Sequence, residues 1–124
     1  MTQHQIKEVI DSFDSIYPVD PSTRAHPYFV NRSAIYAALV HHKVGTTTEI
    51  AKTLKNDRSI VSRSAIMHEN NMKYLDGYEQ AYTFADKLVE AKNGKYKALT
   101  EIAVLEPLVR ELDELKRKIY DATP

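Results

Sequence analysis

The chain has 124 residues, 43% hydrophobic and 27% charged, with 17 basic and 17 acidic side chains and no cysteine. That length sets one domain, or one domain with an appendage, of ordinary soluble composition. Without cysteine there is no disulfide framework and no thiolate metal site. No apolar run approaches the ~20 residues of a membrane span, and the N-terminal stretch lacks the apolar core of a secretory signal, which points to the cytoplasm and to no membrane partner.

Only three glycines occur, and no stretch alternates apolar and polar residues as a half-buried strand does. The expected fold is all-α: a small helical bundle with a helix-turn-helix at its centre and an amphipathic C-terminal helix. A first helix is predicted from Gln3 to about Ile16, with Ile6, Ile10 and Phe13 on one face. Pro18, Pro21 and Pro27 then break the pattern, so the segment from Tyr17 to Val30 reads as an irregular connector. A second helix is predicted to open at Asn31 as N-cap, to bury Ile35, Ala38 and Leu39, and to end before Gly45. Thr46 and Glu49 have the spacing of a capping box and fix the start of a third, short helix. Asn56 or Asp57 caps the next. Asp76 with Glu79 repeats the capping spacing and opens a helix through about Ala91, and Asn93-Gly94 marks a turn. Beyond it Leu105, Leu108, Leu112, Leu115 and Ile119 recur in steps of 3, 4, 3 and 4. That is a heptad-type seam, with Pro107 near its start. Two heptads do not make a stable free coiled coil, so this helix needs a partner: its twin in a homodimer, or the body of its own domain. The organisation is then residues 1–27, an N-terminal helix and connector; residues 28–92, the helix-turn-helix domain; and residues 93–124, the C-terminal helix.

The segment TTTEIAKTLKNDRSIVSRSAIMHEN, Thr46 to Asn70, is the one stretch that points to a biochemical activity. Ile50, Ala51 and Leu54 give its first helix an inner face. Asn56 and Asp57 make the turn, with Asn56 suited to the left-handed conformation where glycine is often found. Val61 and Ala65 supply the inner face of the second helix, while Arg58, Ser59, Ser62 and Arg63 fall outside. A polar ridge led by the N-terminal residues of a second helix is what reading base edges in a major groove requires. Arg58 can hold guanine O6 and N7 with two parallel hydrogen bonds, and Ile60 can meet a thymine methyl group. Asp57 either accepts from a cytosine amino group or caps the helix, the cap being favoured. Lys52, Lys55 and Lys73 suit phosphates. Charge supports the same segment: residues 1–27 hold two basic and four acidic side chains, residues 28–75 seven and three, and residues 76–124 eight and ten. The surplus of positive charge therefore lies on the segment that carries the motif, where it attracts phosphates.

The stretch from Arg32 to Asn70 resembles the C-terminal, DnaA-box-binding domain of the bacterial replication initiator DnaA. The resemblance rests on Arg32 followed by the apolar Ile35, Ala38 and Leu39, on the helix Thr48-Glu49-Ile50-Ala51-Lys52-Thr53-Leu54, and on Asn56-Asp57-Arg58-Ser59-Ile60-Val61 with Arg63 and Ser64 after it. In that family the signature is Arg-Asp-His-Thr-Thr-Val; here Asn56, Arg58 and Ile60 replace its Arg, His and second Thr. The resemblance implies base reading by Asp57, Arg58, Ser59 and Ile60 with a changed sequence preference. No Gly-x-x-x-x-Gly-Lys loop occurs, so an initiator ATPase is excluded. The chain resembles a stand-alone relative of the DNA-reading module, of a kind familiar from phages.

The expected partner is double-stranded DNA, in replication control or transcription regulation. The candidate contact set is Arg32, Thr47, Lys52, Lys55, Asn56, Asp57, Arg58, Ser59, Ile60, Ser62 and Arg63. No cofactor, metal, small-molecule substrate or catalytic residue is expected. His41 and His42 are adjacent and point apart on a helix, which suits the helix C-terminus better than a metal. Tyr74, Tyr78 and Tyr82 recur every four residues and read as a packed aromatic stripe rather than a stacking platform for bases. Two other classes fit a small helix-turn-helix protein with acidic flanks: a small-terminase-like subunit of phage DNA packaging, and a protein-interaction module that inhibits a host factor without touching DNA.

Overall fold

The structure, a computed structural model, describes residues 1–122, with side chains through Tyr120; the last two residues of the predicted 93–124 segment lie outside the described residues. It is all-α, and among the described residues there is no strand. The helices are α1 (Gln3–Asp14), α2 (Tyr28–His41), α3 (Thr47–Thr53), α4 (Arg58–Ile66), α5 (His68–Tyr74) and α6 (Tyr78–Ala122). They divide between two compact units, residues 1–93 and residues 94 onward. None of the described helices is long and apolar enough to cross a membrane.

In the first unit α1 begins at a capping box. The Thr2 hydroxyl accepts from Gln5 N at 3.1 Å and the Gln5 amide oxygen accepts from Thr2 N at 2.9 Å. Ile6, Val9, Ile10 and Phe13 bury one face of it, at helical spacing. The helix stops at Asp14, two residues short of the sequence expectation. Ser15 is the C-cap, and Tyr17 N bonds Phe13 O as the chain turns.

Helix α2 is the centre of the unit. Every residue from Val30 to Leu39 is buried, so its sequence has little amphipathic bias. It starts at Tyr28 after Pro27, three residues before the expected cap, and Asn31 lies inside it. Asn31 instead donates through its side-chain amide to Pro18 O at 2.9 Å, pinning the proline-rich connector. The buried polar side chains of this helix thus fasten the connector.

The Thr46–Glu49 capping box forms as its spacing predicts: the Thr46 hydroxyl accepts from Glu49 N at 3.2 Å, and Glu49 accepts from both Thr46 N and the Thr46 hydroxyl. Helix α1 packs on α3, and α4 packs on both α2 and α3. Leu75, Asp76 and Gly77 turn the chain into α6, with Gly77 at φ +82, where a residue with a Cβ is strained. The helix opens at Tyr78, so Asp76 does not head it as expected. Its first turns pack in the same unit, where Phe84 meets the rings of Phe13 and Tyr17 at 6.0 and 5.4 Å.

Two expectations about α6 fail. Asn93-Gly94 is helical rather than a turn, and Pro107 lies inside a helix rather than in its first turn. A proline costs a helix one backbone hydrogen bond. In the second unit the seam residues Leu105, Leu108, Leu112, Leu115 and Ile119 are all exposed, between 53% and 68%.

Candidate nucleic-acid interface

The turn between α3 and α4 is built from backbone hydrogen bonds rather than a glycine. Asn56 N bonds Ala51 O at 3.0 Å and Lys55 N bonds Lys52 O at 3.2 Å, the paired bonds of a Schellman ending. That ending places one residue in the left-handed region, and the residue is Lys55, at φ +56. Asn56, the residue whose type suits that conformation, does not adopt it. Helix α2 ends in the same way at Lys43, φ +53, with Val44 N on Leu39 O and Lys43 N on Val40 O. Each lysine stands where glycine costs less.

Asn56 has a different task. Its side-chain amide donates to the Tyr36 hydroxyl at 2.8 Å, and Tyr36 is fully buried in α2. Burial pushes the Tyr36 phenol above its ordinary value, against the opposing pulls of the Asn56 bond and nearby Arg32. The half-buried Asn56 is therefore a strut that sets the turn on the core, not a group presented to solvent.

Asp57 occupies the N-cap position of α4, but its side chain makes no capping bond. It is exposed, at the helix end where a carboxylate is favoured by the macrodipole. Val61 is fully buried and anchors α4, as the spacing predicts. Its companion in the interior is Ser64, which satisfies itself by donating to Ile60 O at 2.8 Å; Ala65 and Leu54, expected inside, are only half-buried.

Around the outside of α4, Arg58, Ser59 and Arg63 are exposed and Ser62 is half-buried. Among the described residues neither Arg58 nor Arg63 forms an ion pair or a side-chain hydrogen bond. Lys52 on α3 and Lys55 in the turn after it are exposed, and Thr47 is half-buried in the first turn of α3. On α4 itself the exposed Arg58, Ser59 and Arg63 make a polar, cationic ridge. Ile66, which sequence reasoning passed over, lies on the Ser59–Ser62 side of the helix and is 81% exposed. It was legible as the i+4 neighbour of Ser62.

Three nominated residues sit elsewhere. Arg32 is buried, 7% exposed, and one guanidinium nitrogen donates to the main-chain oxygens of Asp20 at 2.6 Å and Thr23 at 2.8 Å. It folds the connector over α2 and is not on the ridge. Asn56 faces Tyr36. Ile60, 40% exposed, turns toward α2 and lines a cleft between the two helices instead of the outer face.

The features set aside in the sequence also find places. His41 Nδ1 lies 2.8 Å from the Tyr82 hydroxyl, His68 Nδ1 lies 2.7 Å from the Tyr78 hydroxyl, and the two imidazoles meet edge to face at 4.8 Å. His42 Nε2 lies 2.7 Å from the Asp86 carboxylate. Tyr78 and Tyr82 stack at 5.9 Å, whereas Tyr74 is 78% exposed on α5 and leaves the expected stripe. Among the described residues no three acidic or histidine side chains converge as metal ligands.

No family model, curated protein or solved structure matches this chain.

Proposed function

We propose that this protein binds duplex DNA sequence-specifically, with α4 as the recognition helix. The observation that carries the reading is the free ridge on α4. Arg58, Ser59 and Arg63 stand exposed on a helix braced by Val61, and no acid of the described chain neutralises them. A protein with 17 acidic side chains that leaves these arginines unpaired keeps them available for an anionic partner. Arg58 leads the helix into the groove, and Lys52, Lys55 and Arg63 hold phosphates. The likeness to the DnaA-box-binding module supports a role in replication control or transcription regulation.

The exposed seam of the second unit supports a homodimer. Taken as heptad positions a and d, the seam places Glu111 at g and Lys116 at the e position five residues on. In a parallel pair each Glu111 faces the partner's Lys116, and Val104 faces Val109. A dimer delivers two recognition helices to two half-sites of a duplex. The test is selection from random duplex DNA: enrichment of one motif, present as two spaced copies, is expected. Recovery of unselected sequence would end the reading, and absence of any DNA shift at low salt would favour a protein-interaction module.

A further inference from the structure

Between α2 and α4 lies a cleft of about 340 Å³. Each wall is a single helical stripe: Phe29, Arg32, Ser33 and Tyr36 on α2, and Ile60, Arg63 and Ser64 on α4 with Met67, the C-cap that follows it. Both have the i, i+3, i+4, i+7 spacing of one helix face. Arg24, from the connector, and Asn71, from α5, close the rim, and among the described residues no aspartate or glutamate lines the space.

The floor carries donors without acceptors. Arg32 uses only one terminal nitrogen on the connector carbonyls, so its other terminal nitrogen and Nε have no partner among the described residues. Ser33, 6% exposed, likewise makes no side-chain hydrogen bond there. Among the described residues no polar side-chain atom is sealed away without a partner, so these unbonded groups keep some access to solvent, and both residues line the cleft. The carboxylate nearest in sequence to the Arg32 contacts is that of Asp20. It accepts from the Ser22 hydroxyl and N–H, which hold its carboxyl below the ordinary range, and the Arg32 guanidinium adds a weaker pull in the same direction without a direct ion pair. A buried guanidinium is costly unless it is paired, and Arg32 has no direct ion pair among the described residues.

We infer that this cleft binds a small organic anion, a phosphate or carboxylate carried on a flat apolar body. The paired Nη2 and Nε donors of Arg32 match two oxygens of such a group side by side. The Ser33 hydroxyl donates to it, and Arg24 and Arg63 add charge at the rim. Phe29, Ile60 and Met67 form the apolar wall for the body. The volume lies in the range of small-molecule sites. Arg63 belongs both to this cleft and to the ridge on α4, so on the DNA reading the ligand and the duplex compete for it.

The test is titration of the full chain, free of DNA, with phenylphosphate and with inorganic phosphate, followed by amide chemical shifts. Saturable phenylphosphate binding is expected, about tenfold tighter than inorganic phosphate because the ring is buried. Shifts should centre on Ser33, Ile60 and Met67. Ser33→Ala and Arg24→Gln, both mild enough to fold, should each weaken binding by about threefold to tenfold. Absence of saturation, or equal binding by the parent and both variants, overturns the inference. A third outcome does so as well: no phenylphosphate binding, with Ser33→Ala instead weakening duplex affinity, would mean that the cleft holds a DNA phosphate. Because the titration contains no DNA, it succeeds or fails independently of the DNA-binding experiments.

Discussion

At the scale of single residues, Lys55 and Arg58 separate fold from function. A side chain held in the left-handed region costs about 1–2 kcal/mol, part of which glycine gives back through a freer unfolded chain. Lys55→Gly should therefore raise stability by about 0.5–1 kcal/mol in denaturant unfolding while weakening binding to every duplex alike. A gain in stability with unchanged DNA affinity would remove Lys55 from the interface. Arg58→Ala should do the opposite: little change in stability, since the side chain is exposed and unpaired, and a loss of about 1–3 kcal/mol of discrimination between target and random duplex. Much at this scale was legible. Thr46 and Glu49 announced their box because it depends on residues one turn apart, and Val61 its anchor role because apolar spacing within the motif marks the inner face of α4. The tasks of Arg32 and Asn56 were not legible. Their partners, the Asp20 and Thr23 carbonyls and the Tyr36 hydroxyl, come from other elements, and spacing along the chain carries no record of them.

At the scale of elements, Gly94 gives the sharpest test of α6. Local sequence assigns Asn93-Gly94 to a turn, whereas the structure makes both residues helical, and a Cβ added at Gly94 meets nothing within 4 Å. Gly94→Ala should then stabilise the helix by about 1 kcal/mol and raise the helical circular dichroism signal on warming. A destabilised variant would restore the turn. The sequence misled here because a turn dipeptide expresses a local preference of about that size, which the helix-forming residues on both sides outweigh. The histidine–tyrosine cluster joining α2, α5 and α6 makes a second prediction. Burial lowers the His68 pKa below its ordinary 6.5, and neighbouring His41 adds to this, against weaker opposite pulls from Glu69 and Asp86. A histidine that protonates less readily in the folded state contributes stability above pH 6.5, and that contribution is lost as pH falls through its folded value. The thermal midpoint should therefore fall between about pH 7 and pH 5. His68→Phe, which keeps the ring packing and removes the titration, should show a smaller fall. An identical profile for parent and variant would show that His68 is not the titrating group.

At the scale of the whole molecule, the chain combines a core of α1 to α5 and the start of α6 with a second unit whose apolar seam is exposed. The all-α fold and the helix-turn-helix were legible because helical periodicity is a local signal. The cleft between α2 and α4 was not, because each of its walls reads alone as an ordinary amphipathic stripe. Leu112 lies mid-seam and is 56% exposed, so Leu112→Asp should leave the monomer folded and abolish self-association in sedimentation equilibrium. A parent that is monomeric at all concentrations would confine the DNA reading to a single half-site.

The most direct measurement is the affinity of the intact protein for duplex DNA as a function of salt. A phosphate-holding ridge predicts a log–log slope of about −0.9 for each phosphate neutralised, hence about −3 for Lys52, Lys55 and Arg63 together on one subunit. Lys55→Gly should make that slope shallower by about 1, whereas Arg58→Ala should reduce the preference for the selected site. No measurable duplex binding at about 50 mM salt, or binding indifferent to both salt and these substitutions, would contradict the assignment of α4 to DNA.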